Sequence, residues 1–326
     1  MTKPYHVTAI GNAIVDVLSF AEDTFIAAQN MRKGTMQLID APRAESLYEA
    51  MGQATEVSGG SAANTLAGMA SLGARTAFIG KVSNDELGRI FRHDLNGAGV
   101  EFTTPTAMHN IPTARCLIVV TPDGQRTMNT FLGAAGEIHT ADVDTSLVDR
   151  AQVLYGEGYM WDMDVTKTAI RHAFAAAKKS NTKIAFSLSD AFCVERARPD
   201  FLAMIREDFD ILFCNEAEAC ALYPDKKFEE ILDILQGQCD IIAITCGERG
   251  SLILTPSERI HIEPLRVNNV VDTTGAGDLY ASGFLYGLTH GLPLEQCGKL
   301  GSSCASDIIT HLGARPQKPL KRLLAA

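Results

Sequence analysis

The chain has 326 residues, with 46% hydrophobic and 21% charged side chains, proportions that are typical of a folded protein and exclude an intrinsically disordered one. Its formal net charge of −10 at pH 7 argues against nucleic acid as the main partner, because phosphate binding requires a basic surface. No apolar stretch reaches the roughly 18 residues that a transmembrane helix needs, so we expect no membrane partner.

Short apolar runs alternate with helical patterns along most of the chain. Strands are predicted at 6–11, 75–80, 151–155, 183–188, 209–214 and 240–245, and helices at 61–72, 84–97, 165–179, 215–223 and 227–236. We expect a capping box at residues 83–86 to start the second helix, and Lys178 and Lys179 suit the negative end of the third. This alternation predicts a mostly parallel sheet with helices on both faces.

Two segments interrupt this alternation. Residues 112–132 are typical of a hairpin around Pro122, Asp123 and Gly124, and residues 16–39 contain two further short strand patterns. We expect these segments to form a small sheet outside the main one, a lid made approximately of 16–39 and 105–132. The alternative is that they are edge strands of the main sheet. No Pro- or Ser-rich linker divides the chain, so residues 1–326 are predicted to form a single domain.

The eight cysteines and eight histidines show no spacing typical of metal ligands. The sequence has no CxxC pair and no HExxH motif, so we expect reduced thiols and no structural zinc. The apolar segment 6–20 is interrupted by Asn12 and Asp16, which argues against a secretory signal. These features together predict a cytoplasmic protein.

The most informative segment is DTTGAGD at residues 272–278, which is followed by an apolar helical pattern. A glycine-rich turn that enters a helix presents unpaired backbone N–H groups, and these suit an anion. Asp278 would lie beside that anion and repel it, so its presence requires another reason. Accepting a proton from an attacking hydroxyl is such a reason. The alternative is an acid that only complements the helix dipole.

Other polar segments fall where a shared site is expected. Residues 59–64 form a second glycine-rich entry to a helix, and residues 215–218 and 245–250 each follow a predicted strand. In an open α/β sheet, ligands bind beyond the carboxyl ends of the strands. We therefore expect one site assembled from segments that are distant in sequence.

This combination resembles the ribokinase-like sugar kinase (PfkB) family over essentially the whole chain, with residues 272–278 as the most specific motif. Residues 12–16 and 124–135 are most similar to the adenosine kinase branch of that family. The resemblance implies an α/β fold: a ribokinase-like three-layer α/β/α domain with a mostly parallel central sheet and a small β-sheet lid.

The resemblance also implies roles for individual residues. Asp278 would act as the general base, and the N–H groups of Gly275, Ala276 and Gly277 would hold the transferring phosphoryl group. The implied substrate-binding residues are Asn12, Asp16, Gly60, Asn64, Leu132 and Ala134. The implied nucleotide-binding residues are Asn215, Glu218, Thr245, Gly247, Gly250 and Arg126. Glu218 would organise Mg²⁺ through water, and Asp272 and Thr274, with residues 313–315, would hold a monovalent cation such as K⁺.

Several of these residues have simpler interpretations. Asp16 is also consistent with a strand end, Asn64 with a helix surface and Arg126 with a solvated charge. Glu216 and Glu218 are also consistent with first-turn acids that favour the helix dipole. Tyr159 and Met160 fit either a wall of the base pocket or the core, so sequence leaves both interpretations open.

The implied activity is ATP-dependent phosphorylation of the 5′-hydroxyl of a nucleoside, adenosine to AMP first. The alternatives are kinases for inosine or guanosine, kinases for a free sugar such as ribose, fructose or 2-keto-3-deoxygluconate, and a nucleoside-binding protein without catalysis. The expected partners are the small-molecule substrate and ATP with Mg²⁺. The chain is expected to be a monomer or a homodimer.

Overall fold

The computed structural model describes residues 3–108 and 111–325. Its strands are β1 (Tyr5–Ile10), β2 (Ile14–Phe20), β3 (Met36–Leu38), β4 (Ala54–Ser58), β5 (Thr76–Ile79), β6 (Val100–Phe102), β7 (Ala114–Val120), β8 (Arg126–Phe131), β9 (Ala151–Glu157), β10 (Lys183–Ser187), β11 (Ile211–Asn215), β12 (Ile241–Thr245), β13 (Ser251–Leu254) and β14 (Arg259–Ile262). Its helices are α1 (Asp23–Ala28), α2 (Ala41–Ala50), α3 (Ser61–Leu72), α4 (Glu86–Gly97), α5 (Thr145–Asp149), α6 (Asp164–Lys179), α7 (Ala191–Glu207), α8 (Glu216–Leu222), α9 (Phe228–Leu235), α10 (Ala276–Thr289) and α11 (Leu294–Ile308). Within these residues, no helix is both long and apolar enough to cross a bilayer.

The larger sheet has nine strands in the order β14-β13-β12-β11-β10-β9-β1-β5-β6. The strands from β12 to β6 in this order all pair in parallel, and the hairpin β13–β14 continues the sheet in antiparallel fashion. Side chains of β9 alternate between two apolar clusters, with Val153 and Tyr155 in one and Leu154 in the other. The sheet is therefore covered on both faces, and the predicted three-layer fold is confirmed.

The smaller sheet has five strands in the order β3-β8-β7-β2-β4. One face packs on α1 and α2 through a cluster that includes Val17, Ile26, Leu47, Leu117 and Val119. The strands predicted within 16–39 and 105–132 thus lie in this second sheet, and the alternative that they are edges of the main sheet is wrong. Residues 109 and 110 of the second segment lie outside the described residues. Strand β4 was not predicted.

The helix boundaries differ from prediction at several points. Helix α4 begins at Glu86 and its N-cap is Asp85, whose carboxylate accepts from Gly88 N, so the capping box predicted at 83–86 is wrong. Lys178 and Lys179 do lie in the last turn of α6. Helix α7 was missed because Pro199 lies inside it and Ala197 departs from helical geometry, which disguises the periodicity. Helices α2 and α11 and the hairpin β13–β14 were not predicted either.

Candidate active site

A cavity of about 360 Å³ opens between the two sheets. The larger sheet contributes Glu157, Ser187, Asn215 and Thr245, which stand at the carboxyl ends of four neighbouring parallel strands. Most of the predicted site residues line this cavity: Asn12, Asp16, Gly60, Asn64, Leu132, Asn215, Glu218, Thr245, Thr274, Gly275, Ala276, Gly277 and Asp278. The structure therefore brings together segments from the whole length of the chain at the edge where α/β proteins bind ligands.

Five predicted residues do not line the cavity. Gly247 and Gly250 shape the turn after β12 with positive φ angles of 58° and 80°. Ala134 is fully buried, and its N–H donates to the carbonyl of Pro112 at 2.9 Å. The other two, Arg126 and Asp272, pair with each other beside the cavity.

The glycine-rich turn at the start of α10 forms one end of the cavity. Gly275 is the N-cap and adopts a left-handed φ of 78°, and a Cβ there would lie 2.6 Å from the Cβ of Ala314. Around Gly277, by contrast, a Cβ would meet nothing within 4 Å, so the space above this residue is open. The N–H of Ala276 donates to the carbonyl of Thr273 at 3.2 Å. The following N–H groups lack partners within the helix, and an anion can satisfy them.

Asp278 is held from the opposite side of the cavity by the first turn of α3. Its Oδ1 accepts from Ser61 Oγ at 2.6 Å, and its Oδ2 accepts from Asn64 Nδ2 at 2.9 Å. Burial raises the pKa of Asp278, while these two hydrogen bonds and the charge of Arg315 act in the opposite direction. Asn64 is buried, so its interpretation as a surface residue is wrong. Ser61 was missed, although its place after two glycines at a helix start was a usable signal.

Asp16 lies on the face of β2 that lines the cavity. Removal from water raises the pKa of Asp16 to about 7. Within the described residues, Asn12 Nδ2 and Asn64 Oδ1 are buried without a hydrogen-bond partner. Buried polar atoms in folded proteins are normally paired, so this donor and this acceptor are suited to a polar ligand.

Glu157 fixes the backbone beside Asn12, and sequence analysis did not identify it. Its Oε1 accepts from Asn12 N at 2.8 Å and its Oε2 accepts from Ala62 N at 2.7 Å. Burial raises the pKa of Glu157 to about 7. The sequence did contain a signal for Glu157, namely an acidic residue at the end of an otherwise apolar strand. Glu157 joins the loop after β1 to the start of α3, and both carry residues that line the cavity.

Asn215 and Glu218 form a reciprocal capping box at the start of α8. Glu218 accepts from Asn215 N at 3.1 Å and from Asn215 Nδ2 at 2.7 Å, and its own N–H donates to Asn215 Oδ1. Burial raises the pKa of Glu218 to about 7. Glu216, by contrast, forms an ion pair with Arg249 and does not line the cavity.

The oxygen donors at the start of α8 fit Mg²⁺ bound through water. Within residues 3–108 and 111–325 there is no group of three or more His, Cys, Asp or Glu side chains placed to hold a metal. Mg²⁺ typically takes one or two carboxylates and completes its shell with water and substrate phosphates, so a single carboxylate at Glu218 is sufficient.

Asp272 does not fit the predicted role in holding a monovalent cation. Its carboxylate accepts from Thr274 N at 2.9 Å and Gly313 N at 2.8 Å, and it also pairs with the Arg126 guanidinium. The same guanidinium donates to Thr274 Oγ1. The positive charge of Arg126 thus already compensates the Asp272 carboxylate. Arg126 is not a solvated charge, because its side chain is only 16% exposed.

The apolar part of the cavity comes mainly from the smaller sheet and the loops beside it. It includes Ile14, Met36, Leu38, Met128, Leu132 and Tyr159. Tyr159 therefore belongs to the wall of the cavity, whereas Met160 is fully buried in the core. A cavity lined by apolar side chains together with a few polar groups is typical of sites that bind small molecules.

Comparison with known proteins gives concordant matches. The model of the pfkB family carbohydrate kinases matches residues 32–321. A probable sugar kinase from Rhizobium etli CFN 42 is 46% identical, superposes with a TM-score of 0.94 and covers 100% of this chain and 98% of its own. The adenosine kinase from Sinorhizobium meliloti is also 46% identical, with a TM-score of 0.94 and coverage of 99% of each chain. The ribokinase from Mus musculus is 28% identical over 81% of this chain and 82% of its own length.

Proposed function

The chain belongs to the pfkB family of carbohydrate kinases, which makes it a phosphotransferase acting on a hydroxyl, and we propose that this hydroxyl is the 5′-hydroxyl of adenosine. The observation that carries the proposal is one cavity lined by both carboxylates, Asp16 and Asp278, together with a set of apolar side chains. The similarity to the adenosine kinase of Sinorhizobium meliloti over 99% of both chains supports it.

The part of the cavity around Asp16 suits a ribose. The carboxylate of Asp16 and the free Oδ1 of Asn64 are acceptors for sugar hydroxyls, and the free Nδ2 of Asn12 is a donor. Gly60, with a φ of 87°, lets the chain pass close to Asn12, since a Cβ there would collide with the carbonyl of Asn12. A carboxylate that accepts from vicinal hydroxyls gives both orientation and selectivity.

The apolar wall suits a purine base. Leu38 and Leu132 would pack on the two sides of a planar ring, with Tyr159 as an aromatic neighbour. Ala134 is fully buried and does not line the cavity, so we propose no direct contact between it and the base. A free sugar would leave this part of the cavity in contact with water, which is why we place nucleosides before ribose.

The proposed reaction is a direct transfer of the γ-phosphoryl group. Asp278 accepts the proton of the 5′-hydroxyl as its oxygen forms a bond to the γ-phosphorus, and the bond between that phosphorus and the β–γ bridging oxygen breaks to release ADP. The N–H groups of the 275–277 turn, of which that of Gly277 has no partner within the helix, would stabilise the charge that develops on the phosphoryl oxygens. Ser61 and Asn64 keep the Asp278 carboxylate aimed at the hydroxyl.

The nucleotide would extend from this turn along the ends of β11 and β12. Thr245 lines that part of the cavity, and the turn containing Gly247 and Gly250 follows it. Asn215 and Glu218 would hold Mg²⁺ through water, and the ion when bound neutralises charge on the β- and γ-phosphates. Arg126, beside Thr274, would cover the phosphate chain when the lid closes.

The smaller sheet is proposed to act as a lid within a single kinase domain. The segments 16–39 and 105–132 remain its main parts, and strand β4 extends it. Closing the sheet over the cavity would exclude water and limit hydrolysis of ATP.

The test is ADP release with Mg-ATP against a panel of adenosine, guanosine, inosine, cytidine, ribose, fructose and 2-keto-3-deoxygluconate. We expect adenosine to give the strongest signal and AMP to be the product. Release with a free sugar alone would overturn the nucleoside assignment. No release with any substrate, together with a nucleoside-dependent rise in melting temperature, would favour a binding protein without catalysis.

A further inference from the structure

One arginine near the C-terminus holds the backbone of residues 58–63, a segment that borders the candidate active site. Arg315 follows α11, and its guanidinium donates to three backbone carbonyls: Nε to Ser58 at 3.1 Å, Nη1 to Ala63 at 3.0 Å and Nη2 to Gly59 at 3.4 Å. These carbonyls belong to the end of β4, the glycine turn at residues 59–60 and the first turn of α3. Arg315 itself does not line the cavity.

The turn that Arg315 holds lies against the reacting end of the cavity. A Cβ at Gly59 would collide with the carboxylate of Asp16, so the turn and this carboxylate are packed in direct contact. The next residue after the turn, Ser61, donates to Asp278 at 2.6 Å. The position of the turn therefore sets where both Asp16 and Asp278 lie relative to a bound substrate.

Arg315 also supplies charge to the same two carboxylates. Burial raises the pKa of Asp16 and of Asp278, and the positive charge of Arg315 lowers both. For Asp16, Arg126 adds a smaller lowering effect, while Asp278 and Asp272 raise its pKa. Ser61 and Asn64 are the other groups that lower the pKa of Asp278. The carboxylates in turn help to keep Arg315 charged, as does Asp94, although burial lowers its pKa to about 10.

We propose that Arg315 is a positioning residue of this kinase, which fixes the glycine turn and holds its positive charge against the segment that contacts Asp16 and Asp278. The inference rests on the proposed function, because it matters for turnover only if Asp278 is the base and Asp16 binds the sugar. The competing interpretation is that Arg315 only attaches the C-terminal segment to the fold.

Two substitutions separate geometry from charge. Arg315→Lys keeps the positive charge but replaces the planar fork, which reaches three carbonyls, with a single ammonium group. Arg315→Gln removes the charge and keeps some capacity to donate. The matched control is Arg92→Gln, because Arg92 also donates to two backbone carbonyls, of Phe102 at 3.0 Å and Thr104 at 2.7 Å, but lies away from the cavity.

The experiment measures kcat/KM for adenosine and for ATP across pH in the full-length chain and the three variants. For Arg315→Gln we expect the acidic limb of the adenosine profile to move up by about one pH unit, because two buried carboxylates lose a shared positive charge. At pH values below the acidic limb, this shift alone makes kcat/KM of the variant about tenfold lower than that of the wild-type chain. Arg315→Lys should keep the limb within about 0.3 pH unit and lower kcat/KM at its plateau by about tenfold. KM for ATP should change less than about threefold in both.

The outcomes are separable. An Arg315→Gln variant that folds, as judged by circular dichroism, and keeps the wild-type acidic limb would overturn the proposal. If Arg315→Gln does not fold, Arg315→Lys decides the matter. An Arg315→Lys variant with wild-type kcat/KM and an unmoved acidic limb would mean that Arg315 only attaches the C-terminal segment to the fold. A displaced limb in Arg92→Gln would also count against it. A wild-type chain without ADP release from adenosine overturns the proposed function, and with it the role of Arg315.

Discussion

Asn64 Nδ2 donates to Asp278 Oδ2 at 2.9 Å, which joins the first turn of α3 to the first turn of α10 across the candidate active site. The same Asn64 has its Oδ1 free and buried, so one side chain contacts the candidate base and offers an acceptor to the substrate. The candidate base and the proposed sugar site are thereby linked through a single amide.

Asp278→Asn should remove most turnover and preserve substrate binding. A general base contributes about 10² to 10⁴ in rate, so we expect kcat for adenosine to fall by about a thousandfold. Adenosine affinity, measured by calorimetry, should stay within about threefold because Asn keeps nearly the same volume. Asp164→Asn on the exposed start of α6 is the control. Turnover near the wild-type rate would remove Asp278 from the chemistry.

Ser61→Ala should make the enzyme more sensitive to acid. Ser61 Oγ donates to Asp278 at 2.6 Å and lowers the pKa of its carboxyl, so loss of the hydroxyl raises that pKa. We expect the fraction of wild-type kcat/KM that remains to be several-fold lower at about pH 5.5 than at about pH 8. An equal loss at both pH values would mean that Ser61 acts only through packing.

Asp16→Asn should stabilise the fold while it weakens substrate binding. Because the pKa of Asp16 rises from 3.8 to about 7 on folding, the folded chain holds this proton more tightly, and stability falls as pH rises through that window. Asn removes the penalty of ionising a buried group. The gain in melting temperature should therefore be larger at about pH 8 than at about pH 5.

Kinetics of the same variant test the role of Asp16 in substrate binding. KM for adenosine should increase by about tenfold or more, because a charged acceptor for the ribose hydroxyls is lost. KM for ATP serves as the internal control. An unchanged KM for adenosine would place Asp16 outside the sugar site.

Turnover should not require a monovalent cation. The Asp272 carboxylate already accepts from Arg126 and from two backbone N–H groups, so a cation has no uncompensated charge to bind. Replacing KCl by choline chloride at constant ionic strength should change the rate of ADP release less than about twofold. A tenfold fall would show that Arg126 leaves Asp272 during the reaction.

Much of the larger sheet could be predicted because its strands are short apolar runs buried on both faces. The smaller sheet was only partly predictable. Strand β4 has exposed residues at Ala54 and Thr55 and a half-buried Glu56, and so lacks a clear apolar pattern. Helix α7 was hidden by Pro199, which a sequence pattern interprets as a break.

The candidate site was predictable where a residue type and its local turn carried the signal. The glycine-rich entries to α3 and α10 are of this kind, and the residues that follow them line the cavity. Contacts such as the bond between Ser61 and Asp278 join residues that are 217 positions apart, and no spacing rule predicts them. Glu157 was missed for the same reason, and Arg315 was predicted only as part of a cation-binding segment, since both act on backbone groups of distant segments.

The hydrogen bonds from Arg315 to the carbonyls around residues 59–60 have a consequence for biosynthesis. The turn is made in the first fifth of the chain, whereas the base and its neighbouring arginine are made in the last sixth. A chain that stops between these two segments would carry the glycine turn but neither the candidate base Asp278 nor Arg315. We expect such a product to release no ADP from ATP.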